Sequence, residues 1–320
     1  MEKVLVTRQI PQSYITKLEE VAEVEMWDEA LTPMPREAFL KAIQDKTACF
    51  ITLAERIDEA VFEQAPQLKV IANMAVGYDN IDLEAAAKHQ VEITNTPDVL
   101  TETTAELGFS LMLATARRVV EAAEYVKDGQ WESWGPYLLA GKDVYGSKVG
   151  IFGMGSIGQA FARRLQGFNA DILYHNRTQH KAAEKALGAL YVDFDTMLAS
   201  CDFIVNTAPL TDETRDVFDA AAFKKMKSDA IFINIGRGAT VVEDDLVHAL
   251  ETGEIRACGL DVLREEPIDM THPLLKMPSA VILPHIGSAS VVTRNRMIQL
   301  CVRNICAVLR GDAPLTPVKK

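Results

Sequence analysis

Short β-rich runs stand at Lys3–Arg8, Ala48–Thr52, Leu68–Met74 and Val91–Thr96, with helical patterns such as Asp82–Gln90 between them. A second series follows at Lys148–Gly153, Asp171–Asn176, Phe203–Thr207, Ala230–Ile235, Ala257–Asp261 and Ala280–Pro284, spaced by helical stretches such as Ser156–Gly167 and Glu243–Thr252. The runs of this second series are continuously apolar, as strands buried on both faces must be. Strands that alternate with helices predict parallel sheets covered by helices on both sides.

Two longer helical stretches divide the two series. One, Thr101–Asp128, follows the Pro97–Asp98 turn and carries Glu102 and Glu106 near its positive end. The other, Ser290–Arg310, follows the last strand of the second series. If it returns to the first series, residues 1–98 and 289–320 form one discontinuous domain and residues 99–288 form the other. The expected fold is α/β, with two doubly wound parallel sheets and a cleft between them. A chain of 320 residues suits two domains.

Charge narrows the partners. With 33 basic and 45 acidic residues the net charge is −12, which argues against a nucleic-acid or anionic-membrane surface. A small anionic ligand remains compatible, since one cationic pocket can sit in an acidic shell. Cys49, Cys201, Cys258, Cys301 and Cys306 form no CxxC pair and mostly lie in apolar runs. They read as reduced core residues of a cytoplasmic protein. No leader and no membrane span is expected, nor any metal site.

The sharpest local signal is Gly153-Met154-Gly155-Ser156-Ile157-Gly158, a GxGxxG between a strand and a helix. In that setting the first glycine allows a tight turn. The second lets the backbone approach a pyrophosphate, and the third lets helix and strand pack closely. Helix N–H groups at this point favour an anion. The second strand of this series ends in Asn176-Arg177-Thr178, where an NAD-selective loop has an acid for the ribose hydroxyl. A cation and a hydroxyl here suit the 2′-phosphate of NADP(H), with NAD(H) as the alternative.

Several further blocks carry a resemblance. They are Val76-Gly77-Tyr78-Asp79-Asn80-Ile81-Asp82, Asn234-Ile235-Gly236-Arg237-Gly238, Gly259-Leu260-Asp261-Val262 with Glu265-Glu266-Pro267, and Pro284-His285-Ile286-Gly287-Ser288-Ala289. With the glycine loop, their order and spacing resemble the D-isomer-specific 2-hydroxyacid dehydrogenases over nearly the full length, and most closely their glyoxylate/hydroxypyruvate reductases. The resemblance implies a Rossmann cofactor domain, a flavodoxin-like substrate domain, and reduction of a small 2-keto acid.

It also implies roles. Arg237 binds the substrate's carboxylate and carbonyl oxygen, which a planar, permanently charged guanidinium can do with two parallel bonds. His285 is the proton donor, suited by an imidazole that titrates near neutrality. The acid directly before the proline, Glu266 rather than Glu265, favours the imidazolium and fixes the ring. Val76 and Gly77 offer backbone to the substrate carboxylate. Asp261 holds the nicotinamide carboxamide, Ile235 and Gly287 contact the cofactor through backbone, Thr104 faces the nicotinamide, and Thr207, Ala208 and Pro209 flank the adenosine and pyrophosphate. Relatives dimerise through the cofactor domain, with a tryptophan matching Trp134 reaching the neighbouring subunit's substrate site. Glyoxylate, hydroxypyruvate and 2-ketogluconate share the features these residues recognise, and a phosphoglycerate dehydrogenase is a further alternative. Outside enzymes, some proteins of this fold act as dinucleotide-sensing corepressors.

Overall fold

A computed structural model of the chain describes residues 1–318. It divides into two compact units: residues 1–100 with 289–320, and residues 101–288. Each is built on a wholly parallel sheet.

The first unit has five strands: β1 (Lys3–Val6), β2 (Glu23–Met26), β3 (Ala48–Ile51), β4 (Val70–Asn73) and β5 (Glu92–Thr94). Their order is β2-β1-β3-β4-β5. Leu5, Cys49, Ile51 and Ile71 feed the core on one face, and Val4, Val6, Phe50, Val70 and Ala72 feed the core on the other. The helix Val291–Leu309 belongs to the second of these cores through Ile298, Cys301, Val302 and Ile305.

The second unit has seven strands: β6 (Lys148–Phe152), β7 (Asp171–His175), β8 (Leu190–Tyr191), β9 (Phe203–Asn206), β10 (Ile231–Asn234), β11 (Ala257–Leu260) and β12 (Ala280–Ile282). Their order is β12-β11-β10-β9-β6-β7-β8, so the direction of winding reverses between β6 and β9. A doubly wound sheet opens a crevice at the carboxyl ends of the strands at such a point. Adjacent residues again serve opposite faces: Phe203 and Val205 enter one core and Ile204 the other.

The continuous apolar runs are all strands of these sheets. The pattern misses β2 and β8. β2 reads Glu-Val-Glu-Met at a sheet edge, with no side chain fully buried, so it lacks the signature of a two-sided strand. β8 is a two-residue edge strand.

One expected element is corrected. The stretch 101–128 is not one helix but two, Thr101–Ala116 and Val119–Lys127, broken where Arg118 takes a left-handed φ of 54°. The Ala116 carbonyl accepts the Lys142 N–H at 2.8 Å, and Gly141 packs on that same carbonyl. A segment remote in sequence therefore takes the acceptor at the break, and neither glycine nor proline marks the spot. Glu102, expected to act on the helix dipole, also pairs with Arg163 and Arg164 of the helix Ser156–Leu165.

The tightness of the second core can be tested at Gly150 in β6. A Cβ there would lie 2.6 Å from Met197 Cγ and 2.9 Å from Cys201 Sγ. Gly150→Ala should cost about 1–3 kcal/mol through overpacking. Thermal unfolding should therefore fall by several degrees, and a midpoint equal to that of the parent would show that the helix carrying Met197 yields freely.

Candidate active site

The candidate residues gather at the carboxyl ends of the two sheets. In the second unit the glycine loop leaves β6 with Gly153 at φ 101°, a conformation that side chains rarely adopt. A Cβ on Gly153 would lie 2.7 Å from the Ala208 nitrogen, and one on Gly158 would strike the Gly153 carbonyl. Gly155 differs: a Cβ there would meet nothing within 4 Å, so the backbone faces open space. The helix Ser156–Leu165 begins there without a side-chain cap. Its first N–H groups are thus left for an anion, and a dinucleotide pyrophosphate fits this cradle. Across the crevice, Thr207 closes on the loop. Its N–H bonds the Phe152 carbonyl at 2.9 Å, and its hydroxyl donates to the Gly153 carbonyl. Ala208 is buried beside Gly153.

Asn176 takes a part beyond that of a ligand contact. Its Oδ1 accepts the Met154 N–H at 2.7 Å, which pins the glycine loop to the end of β7. Arg177 and Thr178 are exposed beyond it. Among the described residues Arg177 makes no hydrogen bond or salt bridge. It only adds to the hydrogen bond from Thr211 in holding the Glu213 carboxyl below its ordinary value. His175, by contrast, is tied down: it bonds the Val192 carbonyl at 3.0 Å and stacks between Phe152 and Tyr191.

His285 lies just past β12 in the left-handed region, with φ 52°. A residue with a Cβ is held in that region only when its surroundings fix it. Here Asp261, 2% exposed at the end of β11, accepts the Ile286 N–H at 2.7 Å. Burial pushes the Asp261 carboxyl up, against the N–H groups of Ile286 and Gly287 and the nearby His285. Gly287 packs on Asp261 and on Thr104, so these three candidates meet.

The Nδ1 of His285 stands 2.7 Å from Glu266 Oε2, while Glu266 Oε1 accepts the Leu263 N–H at 3.0 Å. One carboxylate oxygen is therefore anchored to backbone and the other orients the ring. Nε2 is left as the nitrogen able to exchange a proton. Burial pushes the Glu266 carboxyl up, but the hydrogen bond and charge of His285, the Leu263 N–H and Arg237 outweigh it and hold it below 4.5.

Arg237 follows β10 in a loop whose backbone is fixed from below. Its carbonyl accepts Asn234 Nδ2 at 3.0 Å and the Thr240 hydroxyl at 2.6 Å. Asn206 Nδ2 donates to Asn234 Oδ1 at 3.0 Å and to Thr240 Oγ1 at 2.8 Å, and its Oδ1 accepts the Ala208 N–H at 3.0 Å. Asn206, Asn234 and Thr240 are all almost wholly buried. This network joins the Arg237 loop to the loop beside the glycines, and the sequence reading did not foresee it. A signal was present: β9 and β10 are apolar strands that both end in Asn, in register. Ile235 is buried between this network and Gly108.

Val76 and Gly77 belong to the first unit, in the turn that follows β4. Trp134 is 81% exposed. Among the described residues no cluster of side chains has the make-up of a metal site, and no helix is long and apolar enough to cross a membrane.

Known proteins resemble this chain in sequence and fold. The family model for the D-isomer specific 2-hydroxyacid dehydrogenase NAD binding domain matches residues 109–287. A glyoxylate reductase of Pyrococcus horikoshii is 46% identical over 99% of this chain and 96% of its own. Glyoxylate/hydroxypyruvate reductase B of Escherichia fergusonii is 44% identical over 97% of this chain and 95% of its own. The crystal structure of an NADPH-dependent glyoxylate/hydroxypyruvate reductase from Sinorhizobium meliloti, in complex with NADP and malonate, has a TM-score of 0.86 at 34% identity, covering 99% of this chain and 96% of that one. On these matches, and on the site they surround, the chain belongs to the D-isomer specific 2-hydroxyacid dehydrogenase family.

Proposed function

We propose that this chain reduces a small 2-keto acid of the glyoxylate or hydroxypyruvate kind to the D-2-hydroxy acid, with NADPH preferred as hydride donor. The observation that carries the reading is the 2.7 Å pair of His285 Nδ1 and Glu266 Oε2, in the same unit as Arg237 and the glycine loop.

The groups that would hold the dinucleotide are the loop Gly153–Gly158, the Thr207–Pro209 segment and the Asn176–Thr178 corner, with Thr104, Ile235, Asp261 and Gly287 toward its nicotinamide end. When bound, the reduced nicotinamide supplies the hydride. Arg237 takes the substrate's carboxylate and polarises its carbonyl. In the first unit, the backbone N–H groups of Val76 and Gly77 offer donors to a carboxylate. His285 Nε2 gives its proton to the carbonyl oxygen as the carbonyl carbon is reduced, and Glu266 balances the imidazolium that this requires. In the reverse direction the neutral ring takes the proton from the hydroxyl.

Two further readings rest on particular features. Val119, Val120, Val126, Trp131, Trp134, Tyr137, Leu138 and Tyr145 are all exposed within one stretch, and the helix Val119–Lys127 buries no residue. Such an apolar face supports a homodimer made through the cofactor unit, with Trp134 offered to the neighbouring copy. The five cysteines form no disulfide, and all but Cys306 are buried, which supports a cytoplasmic setting.

His285→Ala should lower turnover of glyoxylate by roughly 10²–10⁴, the share of a positioned acid, while dinucleotide affinity holds. The assay is loss of reduced-nicotinamide absorbance. A parent protein that binds NADPH yet turns over no 2-keto acid would favour a dinucleotide sensor instead.

Glu266→Gln removes the charge that favours the imidazolium. Because the Glu266 carboxyl is held below 4.5, the pair is intact above that value and is lost only as pH falls through the lowered one. The variant should turn over more slowly in both directions, and it should lack the low-pH loss that protonation of Glu266 brings in the parent. Profiles unchanged in both directions would remove Glu266 from its role.

The parent should use NADPH over NADH by about tenfold or more in kcat/KM, as one charge-assisted hydrogen bond to the 2′-phosphate allows after solvent screening. Arg177→Ala should erode that preference by weakening NADPH use alone, and added salt should do the same. A preference that survives in the variant would mark Arg177 as a mere surface charge.

A further inference from the structure

The turn after β4 is held by a set of bonds that begins at the far end of the chain. The Ala75 carbonyl accepts the Thr96 N–H at 2.8 Å, the Val76 carbonyl accepts Asn95 Nδ2 at 2.8 Å, and the Gly77 carbonyl accepts Asn73 Nδ2 at 2.9 Å. The peptide group is planar and its carbonyl and N–H point opposite ways. A partner on the Ala75 carbonyl therefore aims the Val76 N–H, and a partner on the Val76 carbonyl aims the Gly77 N–H. Among the described residues neither of these N–H groups has a partner of its own.

The first of these two settings is made by backbone. The second depends on one side-chain amide, that of Asn95, and Asn95 is in turn placed by the C-terminal segment. Its N–H donates to the Thr316 carbonyl at 3.3 Å, and its own carbonyl accepts the Thr316 hydroxyl at 2.7 Å. Thr316 is fixed by Asn304, which is wholly buried in the helix Val291–Leu309. Asn304 Nδ2 donates to the Thr316 hydroxyl at 2.8 Å, and its Oδ1 accepts the N–H groups of Leu315 and Thr316 at 2.8 and 3.1 Å. Val318 completes the strap by donating to the Ile93 carbonyl at 2.8 Å. All of these residues lie in the first unit.

We propose that Asn95 and Thr316 are positioning residues for substrate capture, and that the segment 315–318 is a brace that aims the Gly77 N–H at the substrate carboxylate. The proposal rests on the reading that the Val76–Gly77 turn takes that carboxylate. Asn304 orders Thr316, Thr316 orders Asn95, and Asn95 sets the rotation of the Val76–Gly77 peptide. The brace stands outside the acid–base machinery, so it acts on binding of the keto acid and leaves proton transfer and dinucleotide affinity alone.

Asn95→Ala and Thr316→Val each break the chain of bonds at one point, and Thr316→Ser keeps the hydroxyl. Both disruptive variants should raise KM for glyoxylate by about tenfold, the loss of one well-aimed charge-assisted hydrogen bond, with kcat and the NADPH dissociation constant near parental values. Thr316→Ser should restore the parental KM. Backbone amide resonances of Val76 and Gly77, followed while glyoxylate is titrated into the complex with NADP, separate the two layers of the argument. If they stay still in the parent, the carboxylate-turn reading itself fails. If they move in the parent and both disruptive variants bind glyoxylate as the parent does, the brace is overturned and the turn stands. A variant with lowered thermal stability but unchanged KM gives that same negative answer. If Asn95→Ala does not fold, the Thr316 pair decides alone.

Discussion

A strand buried on both faces can place polar chemistry only where it ends. Both sheets of this protein are parallel, and most of their strands are buried on each side, so every strand of a sheet delivers its last residue and its following loop to the same edge. The candidate groups follow from that constraint. Gly153 follows β6, Asn176 follows β7, Asn206 and Asn234 end β9 and β10, Asp261 follows β11 and His285 stands just past β12. In the first unit Asn73 ends β4 and the Val76–Gly77 turn comes next.

Much of the polar chemistry at these edges is spent on backbone rather than on ligands. Asp261 holds the Ile286 N–H, Asn234 and Thr240 hold the Arg237 carbonyl, Asn176 holds the Met154 N–H, and Asn95 holds the Val76 carbonyl. Each bond fixes the backbone of a loop that carries candidate residues. Preorganisation of this kind lowers the cost of aligning groups at the moment of reaction. It also accounts for the left-handed backbone at His285, which the Asp261 contact and the Glu266 bond hold from both sides.

Electrostatics are local in the same sense. The chain carries a net charge of −12, yet Arg177 is exposed beyond β7 and the helix at Gly155 begins without a side-chain cap, leaving backbone N–H groups there. Backbone donors supply much of this positive potential, and they stay in place at any pH.

The sequence by itself determined the class of fold and the residues with chemistry to offer. Continuous apolar runs need no partner to be recognised as two-sided strands, and a GxGxxG between strand and helix states its own local geometry. Arg237, Glu266 and His285 stand out as candidates because the blocks around them keep a family's order and spacing. What only the tertiary structure decided is which polar groups serve which loops. The edge strand β2 is stabilised by pairing with β1 rather than by its own pattern. The helix break at Arg118 depends on Lys142, and the Asn206 network joins strands whose Asn residues are 28 positions apart. The Asn95–Thr316 bond spans 221 positions. Hydrophobic periodicity records how a segment buries itself. A hydrogen bond between side chains and distant backbone leaves no such period, so it comes into view only once the chain has folded.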